Sequence, residues 1–274
     1  MTSSRHIAIL IHENEDEHSL RRYAIATLME FWLEDGHRVT VLRGTGHTVD
    51  ADLLVVHVDL SVVPRSYLEF ASQYPITVNS RVGDIRKSAF AINQVTADDP
   101  YDGAVIIKSD LNCMGNPEAR LLGLRLNGGN GQSVPYRAGF RMLPHVRDVP
   151  PRIFRRRDLV VQKFEPEMDG PLFCVRNMHC LGNHLSFVRL KSRSPVVKST
   201  NCLPGIEPVE PEPELIALRQ RLHLDYGKLD YVKRGGEVIL LDINKTIGAG
   251  RMGETPQMRT MRRARANGLY DYFS

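Results

Sequence analysis

The sequence predicts an α/β fold at its N-terminus, and two observations indicate how the chain is organised. Short apolar runs alternate with helix-like segments over residues 1–84, which is typical of a parallel sheet. Residues 223–247 contain instead two apolar runs around the sequence Lys-Arg-Gly-Gly-Glu, which is typical of a β-hairpin. The chain is therefore expected to begin with a parallel α/β unit and to end with antiparallel strands.

Apolar patterns predict each element of the N-terminal unit. A helix is expected from His18 to Asp35, because apolar side chains recur there at helical spacing and Gly36 can end it. A second helix is expected from Pro64 to Tyr74, with proline in its first turn. The predicted strands are residues 7–11, 39–42, 53–58 and 76–79.

Beyond residue 84 the same reading predicts further strands with shorter helices between them. The predicted strands are residues 104–108, 159–164, 172–177 and 185–190, and the predicted helices are 118–126 and 213–223. Residues 166–171 read as a turn and residues 207–213 as a linker. Residues 127–132, with three glycines, predict a flexible loop.

Composition limits the class of protein. The 274 residues are 42% hydrophobic and 25% charged, as in an ordinary soluble protein of one to three domains. No run of about 18 apolar residues suggests a membrane span. The N-terminus lacks a signal-peptide cleavage region and the four cysteines lack Cys-x-x-Cys spacing, so a reduced, cytoplasmic protein is expected. The spacing of His179, Cys180 and His184 fits no zinc pattern.

The charge balance indicates anionic ligands. The net charge of +4 and the pI near 8.9 suit a nucleotide but are too weak to imply nucleic acid. The basic cluster at residues 152–157 has no aromatic platform beyond Phe154, so a solvated loop or strand edge explains it better. Neither nucleic acid nor a membrane is expected as a partner.

The predicted hairpin carries three candidate metal ligands. Asp242 and Asn244 are two residues apart on one strand, so their side chains point to the same face. Asp230 lies on the neighbouring strand and comes near them if the hairpin pairs in simple register. Carboxylate and amide oxygens suit Mg²⁺ that also binds phosphates. A solvated sheet face is the alternative, but these residues interrupt the apolar run 238–243.

Other polar residues stand at the ends of predicted strands and could clamp a triphosphate. Lys108 ends one strand before a glycine-containing loop, and Gln162, Lys163 and Phe164 end another. Arg176 and Arg189 lie on successive strands. Phosphoryl transfer needs mainly such positioning and charge neutralisation.

In this order the motifs resemble those of the ATP-grasp superfamily, which includes D-alanine–D-alanine ligase, glutathione synthetase and the ribosomal-protein glutamate ligases. The resemblance covers nearly the whole chain. It implies an ATP-grasp-type fold, in which an N-terminal parallel α/β unit precedes two α+β lobes that enclose a nucleotide cleft. The corresponding segments are 1–84, 85–164 and 165–274.

The resemblance also implies a role for each candidate residue. Lys87 and Lys108 would contact the phosphates of ATP, and the backbone of Lys163 and Phe164 would bind adenine beside Gln162. The metal would be Mg²⁺. Its ligands would be Asp230, Asp242 and Asn244, while the charge on the transferred phosphoryl group would be neutralised by Arg176 and Arg189.

The chain departs from the family pattern at several positions. Asp242 and Gln162 stand where relatives usually have glutamate, and residues 245–248 replace a common Pro-Gly turn. A shorter carboxylate at position 242 bridges two metal ions less readily. The basic tail after residue 250 either caps the substrate pocket or forms a solvated helix.

The function implied is an ATP- and Mg²⁺-dependent ligase. It would join a small-molecule or peptide carboxylate to an amine, or a thiol, through an acylphosphate. The alternatives are a small-molecule kinase on the same fold and a nucleotide-binding scaffold without catalysis. A homo-oligomer is possible, and the sequence does not identify either substrate.

Overall fold

The computed structural model describes residues 3–123, 140–250 and 255–273. The predicted glycine-rich loop, residues 127–132, lies outside the described residues, as does the end of the helix expected over 118–126. The strands are β1 (His6–Ile11), β2 (Arg38–Arg43), β3 (Leu53–Val56), β4 (Thr77–Val78), β5 (Val105–Ser109), β6 (Arg141–Leu143), β7 (Leu159–Lys163), β8 (Glu167–Asp169), β9 (Leu172–Leu181), β10 (His184–Ser192), β11 (Glu207–Pro208), β12 (Tyr226–Arg234) and β13 (Glu237–Asn244). The α-helices are α1 (Ile25–Glu34), α2 (Arg65–Ala71), α3 (Lys87–Phe90), α4 (Asn116–Leu121), α5 (Pro151–Phe154), α6 (Pro213–Arg221) and α7 (Pro256–Ala266).

The N-terminal unit contains the parallel sheet that the sequence predicts. Its order is β2-β1-β3-β4, and every neighbouring pair is parallel. The central strands β1 and β3 are almost fully buried, as their continuous apolar runs require. The sheet is covered by helices on both faces, so each face has its own core.

The helix predicted over residues 18–35 is divided in two. A 3₁₀-helix spans Glu17–Arg22, and α1 begins only at Ile25. Between them Tyr23 is extended and bridges Gly248, while the Ala24 N–H donates to the Ile247 carbonyl. This contact with a distant segment overrides the local helical pattern. Gly36, with φ of +86°, follows the end of α1 as predicted.

Two antiparallel sheets follow in the rest of the chain. The smaller has the order β6-β5-β7, and its core includes Val105, Ile107 and Val161. The larger has the order β11-β10-β9-β12-β13, with β8 added beside β9. Strand β8 lies within the turn predicted at 166–171, because Gly170 adopts a φ of +56° and lets the chain fold back.

The predicted hairpin is formed by β12 and β13. Gly235 and Gly236 form its two-residue loop, both with positive φ, as a tight hairpin of this twist requires. Asp230 lies directly opposite Asp242, and a bulge shifts the register immediately beyond this pair. The bulge leaves Leu241 unpaired, so Leu240 faces the core below the sheet although Asp242 faces away from it.

Buried polar contacts join the parallel sheet to the larger antiparallel sheet. Asn79 is fully buried, and its side-chain oxygen accepts hydrogen bonds from the N–H groups of Asp225 and Tyr226, both at 3.0 Å. Its amide nitrogen donates to the Tyr226 carbonyl at 2.7 Å. Lys245 is also buried and donates to the carbonyls of Val58 and Leu60. The start of β12 and the segment after β13 are thus both held against the N-terminal unit.

The C-terminal helix α7 packs on the N-terminal unit. Trp32 of α1 donates a hydrogen bond from its indole nitrogen to the Ala266 carbonyl at 3.0 Å, and Arg263 pairs with Asp35 at 2.5 Å. Of the two alternatives for the basic tail, the solvated helix therefore does not hold for Arg262 and Arg265, which are buried. Among the described residues, no helix is long and apolar enough to cross a membrane.

Replacing Asn79 should weaken the link between the two sheets. Asn79→Ala removes three hydrogen bonds, leaves buried backbone groups unpaired and places a less suitable residue at a φ of +63°. We expect the free energy of unfolding, measured by urea denaturation, to fall by about 2–4 kcal/mol.

Asn79→Gly isolates the hydrogen bonds, because glycine accepts the positive φ without strain. It should lose most of the same stability, whereas Ser80→Ala at the next, partly exposed position should change it little. Wild-type stability of Asn79→Gly would contradict a stabilising role for the side-chain hydrogen bonds.

Candidate active site

A cavity of about 820 Å³ lies between the small sheet, the larger sheet and α7. Its walls carry alternate residues of β12 and β9, because side chains of a strand point to opposite faces in turn. Lys228 and Asp230 line it from β12, and Asn177 and His179 from β9. The intervening residues of these strands face the core under α6. The cavity face of β9 and β12 therefore carries a group of polar side chains, while alternate residues of the same strands belong to an apolar core.

The three predicted metal ligands meet in this cavity. Asp230 and Asp242 are register partners, and Asn244 lines the same wall two residues after Asp242. The Asn244 amide nitrogen lies 3.4 Å from Asp230 Oδ2, and Asn177 donates to Asp230 Oδ1 at 2.7 Å. The expectation that the hairpin gathers these oxygen ligands on one face agrees with this geometry.

Three lysines surround the two carboxylates. Lys228 Nζ lies 2.8 Å from Asp230 Oδ1, and Lys87 Nζ lies 3.3 Å from Asp242 Oδ1. Lys108 reaches the cavity from β5 and is 9% exposed. No hydrogen bond of its ammonium group is found within the described residues. The group thus contains three cationic side chains and two anionic ones.

Burial changes the protonation equilibria of this group. It lowers the pKa of Lys108 to about 8, although Asp242 and Asp230 act in the opposite direction. Lys87, like burial, lowers the pKa of Lys108 because it carries the same charge. Burial also raises the pKa of Asp230, which the ammonium group of Lys228 opposes. A polyanion in the cavity would favour the charged form of the lysines.

The predicted nucleotide hinge also borders the cavity, through Lys163 and Phe164. Their backbone N–H groups already donate to the carbonyls of Asn93 and Ala104, both at 2.8 Å. They are therefore not available to adenine in this arrangement. Gln162 is fully buried and donates to Asn93, but its side-chain oxygen has no hydrogen-bond partner in the described chain. That oxygen is the unused acceptor at the hinge.

The structure does not bring Arg176 and Arg189 to the cavity. They are register partners on β9 and β10, and both point to the opposite face of the sheet. Arg176 pairs with Glu167 at 2.9 Å, and Arg189 pairs with Glu207 at 2.7 Å. These carboxylates satisfy the guanidinium groups, so the expected role at the phosphoryl group is not supported by their position.

Sequence reasoning did not select several cavity residues. Lys228 could have been found, because it is two residues before Asp230 on the same strand and must share its face. Choosing Asn177 and His179 over Arg176 as site residues requires knowledge of how β9 pairs with β12, because this pairing decides which residues of β9 face the cavity. Arg262 and Arg265 of α7 also line the cavity, and no local pattern predicts where this helix docks.

The donor set is suited to Mg²⁺ in the presence of phosphates. Within the described residues, no three His, Cys, Asp or Glu side chains gather in a way that would hold a metal ion by themselves. Magnesium commonly uses one or two carboxylates together with phosphate oxygens and water. Asp230, Asp242 and the side-chain oxygen of Asn244 fit that pattern, and the neighbouring lysines suit the phosphates.

Sequence comparison identifies no relative of this chain, since no protein-family profile and no curated protein matches it. Comparison of structures does find similar proteins. D-alanine–D-alanine ligase from Bacillus anthracis is similar with a TM-score of 0.53 at 9% identity, covering 99% of this chain and 96% of the ligase.

Two further structures are similar over almost their whole length. A RimK domain ATP-grasp protein from Sphaerobacter thermophilus has a TM-score of 0.51 at 13% identity, covering 98% of this chain and 100% of its own. The ATP-grasp ligase PsnB was solved with a variant of its minimal precursor, Mg and ADP. It has a TM-score of 0.53 at 11% identity, covering 97% of this chain and 98% of PsnB. At such identities the likeness concerns the fold. The parallel sheet, the two antiparallel sheets and the cavity between them together identify this chain as a protein with the ATP-grasp fold.

Proposed function

We propose that this protein is an ATP- and Mg²⁺-dependent ligase that joins a carboxylate to an amine or a thiol. The observation that carries the proposal is the meeting of two carboxylates, an amide and three lysines on the walls of one cavity. This is the combination of charges that a nucleotide triphosphate with its metal requires. The similarity to ATP-grasp ligases supports the same reaction class.

In this proposal Asp230, Asp242 and Asn244 hold Mg²⁺, which neutralises phosphate charge when it is bound. Lys87 and Lys108, the lysines expected from the sequence, bind phosphate oxygens, and Lys228 does so as well. Lys163 and Phe164 line the cavity. Gln162 beside them is fully buried and outside the cavity lining, so contact between its unpartnered side-chain oxygen and the adenine amino group requires the hinge to shift. No phosphate-binding role is proposed for Arg176 and Arg189.

The proposed reaction has two steps. A substrate carboxylate takes the terminal phosphoryl group of ATP, and ADP is released. The amine nitrogen or thiol sulfur then bonds to the acyl carbon, phosphate leaves with the electrons of the broken C–O bond, and the nucleophile loses its proton to solvent. The macrocyclase MdnC, a similar structure, was solved with a precursor peptide, which supports a peptide as one substrate here.

Asp242→Asn tests the metal site, because it removes one negative charge while keeping the shape of the side chain. ADP release in a pooled screen of carboxylates and amines should fall by about 100-fold or more, since metal ions stabilise several kcal/mol of developing charge. Mass spectrometry of the product distinguishes the ligase, which forms an amide or thioester and free phosphate, from a kinase, which releases a phosphorylated compound.

The matched control for this variant is Asp169→Asn, an acid on the same sheet that pairs with Lys191 away from the cavity. It should retain wild-type turnover. Unchanged turnover of Asp242→Asn would contradict the assignment of Asp242, and nucleotide binding by the wild type without any ADP release would favour the non-catalytic scaffold.

Lys108→Ala tests the phosphate site. Loss of a charge-assisted contact should weaken Mg-ATP binding by about 10- to 100-fold in calorimetry. Lys191→Ala should leave the affinity unchanged, since Lys191 is a partly exposed lysine that pairs with Asp169 and Glu207. If Lys108→Ala and the wild type bind Mg-ATP with equal affinity, Lys108 is not part of the phosphate site.

The pKa of Lys108, about 8 in the free protein, also predicts a pH dependence. Bound phosphates raise this pKa, so above pH 8 the binding of Mg-ATP is accompanied by the uptake of a proton. The affinity for Mg-ATP should therefore fall above pH 8, by up to about 10-fold per pH unit. Arginine stays charged over this range, so Lys108→Arg should flatten the profile between pH 8 and 9.5. An equally steep profile in Lys108→Arg would assign the proton to another group.

A further inference from the structure

Arg265, in the last turn of α7, is a buried cation without a partner among the residues that the structure describes. It is 6% exposed and lines the cavity. Its Nε has no hydrogen-bond partner, and among the described residues no hydrogen bond or ion pair of its guanidinium group is found. Buried arginines are normally paired, because an uncompensated buried charge is costly.

The neighbouring arginines of α7 show what a satisfied guanidinium looks like in this helix. Arg262 donates to the Ala249 carbonyl at 2.6 Å, and Arg263 pairs with Asp35. The pKa of Arg265 is lowered by burial and by the charge of Arg262, while Tyr226 and Cys180 oppose this. The guanidinium group forms no ion pair with a carboxylate of the described residues. The charge of Arg265 is therefore not balanced by an acid in the described chain.

His179 adds a second unsatisfied polar atom at the same end of the cavity. Its Nδ1 is buried without a hydrogen-bond partner, and the ring lines the cavity. Burial and the charges of Arg265 and Lys228 hold the pKa of His179 well below its usual range, so the ring is neutral. A neutral imidazole can donate one hydrogen bond. Arg265 and His179 thus offer donors that no acceptor among the described residues takes up.

This end of the cavity lies at a fixed distance from the two carboxylates of the hairpin, and Asn244 is level with it, since Lys228 pairs with both Asn244 and His179. His179 pairs in register with Lys228, and Asn177 pairs with Asp230, two residues further along each strand. At about 3.3 Å per residue, the two levels are roughly 7 Å apart. One small organic molecule can therefore reach both the carboxylates of the hairpin and the donors at Arg265.

We propose that Arg265 and His179 form a subsite for a substrate carboxylate other than the one that is activated. The inference rests on the proposed ligase function and narrows its substrates to those that carry such a second carboxylate. A planar guanidinium with one unit of positive charge matches a carboxylate in shape and charge. In the proposed function the nucleotide phosphates are bound by other cations, namely Lys87, Lys108 and Lys228, which lie beside the metal ligands.

The first test needs no ligand. Arg265→Met removes the unpaired cation and keeps much of the apolar stem, so its melting temperature should equal or exceed that of the wild type. The matched control, Arg263→Met, loses the ion pair with Asp35 and should melt lower. If Arg265→Met melts lower by as much as Arg263→Met, Arg265 is held by contacts such as bound water, and the proposal fails.

The second test measures binding. Dicarboxylates from succinate to adipate, together with glutamate, are compared with butyrate at matched ionic strength, by calorimetry and by the shift in melting temperature. At about 100 times its Kd, a bound dicarboxylate should raise the melting temperature of the wild type by several degrees, and butyrate should not. Arg265→Met should lose the shift and Arg263→Met should keep it.

A further set of probes identifies where the carboxylate comes from. Short peptides with a free C-terminus are compared with the same peptides carrying a C-terminal amide. A shift with free peptides alone assigns the carboxylate to a peptide substrate, and a shift with dicarboxylates assigns it to a small acid. Absence of an Arg265-dependent shift over the whole panel overturns the subsite.

Mg-ATP binding in the same samples separates this inference from the proposed function. Normal nucleotide binding without any effect of Arg265 on carboxylates overturns the subsite and leaves the ligase proposal intact. An Arg265-dependent carboxylate effect in a protein that binds no Mg-ATP supports the subsite and overturns the ligase proposal.

Discussion

The site depends on the way the fold holds two carboxylates opposite each other on neighbouring strands. Asp230 and Asp242 are register partners, and like charges in that position repel. Lys228 on the same strand and Lys87 at the start of α3 each pair with one of them. The bulge beyond this pair allows both acids to face the cavity while Leu240 is buried on the other side. Without these cations the hairpin would carry an uncompensated negative face.

The lysines also give the cavity a charge that its own acids do not balance. Lys108 is buried beside the carboxylates, and its lowered pKa shows that its charge is only partly compensated. A triphosphate with its metal would complete the balance, since it brings both negative oxygens and a cation for Asp230 and Asp242. The same reasoning applies to Arg265, which lines the cavity near His179. Binding of an anionic ligand would thus also compensate the buried positive charges of this pocket.

Contacts far apart in the chain build the walls of this pocket. Lys245 follows β13 and donates hydrogen bonds to backbone carbonyls after β3. Tyr23 and Ala24 pair with residues 247 and 248, which come just after Lys245. This docking brings the N-terminal unit and α7 to the end of the larger sheet. Residues 245–248 therefore have a structural role, which is to hold the end of β13 against the N-terminal unit.

The sequence by itself determined most of the longer strands, the hairpin turn and the shared face of Asp242 and Asn244, because strand alternation and glycine conformation are local properties. It did not determine the short strands β6, β8 and β11, which form by pairing with other strands. The family resemblance led to the prediction of Lys87 and Lys108, which both line the cavity. Only the tertiary structure decided that Arg176 and Arg189 face away while Asn177 and His179 face the cavity. That choice follows from strand pairing, in which a shift of one residue exchanges the two faces. The docking of α7, which brings Arg265 to the cavity, likewise depends on packing between distant segments that no local pattern encodes.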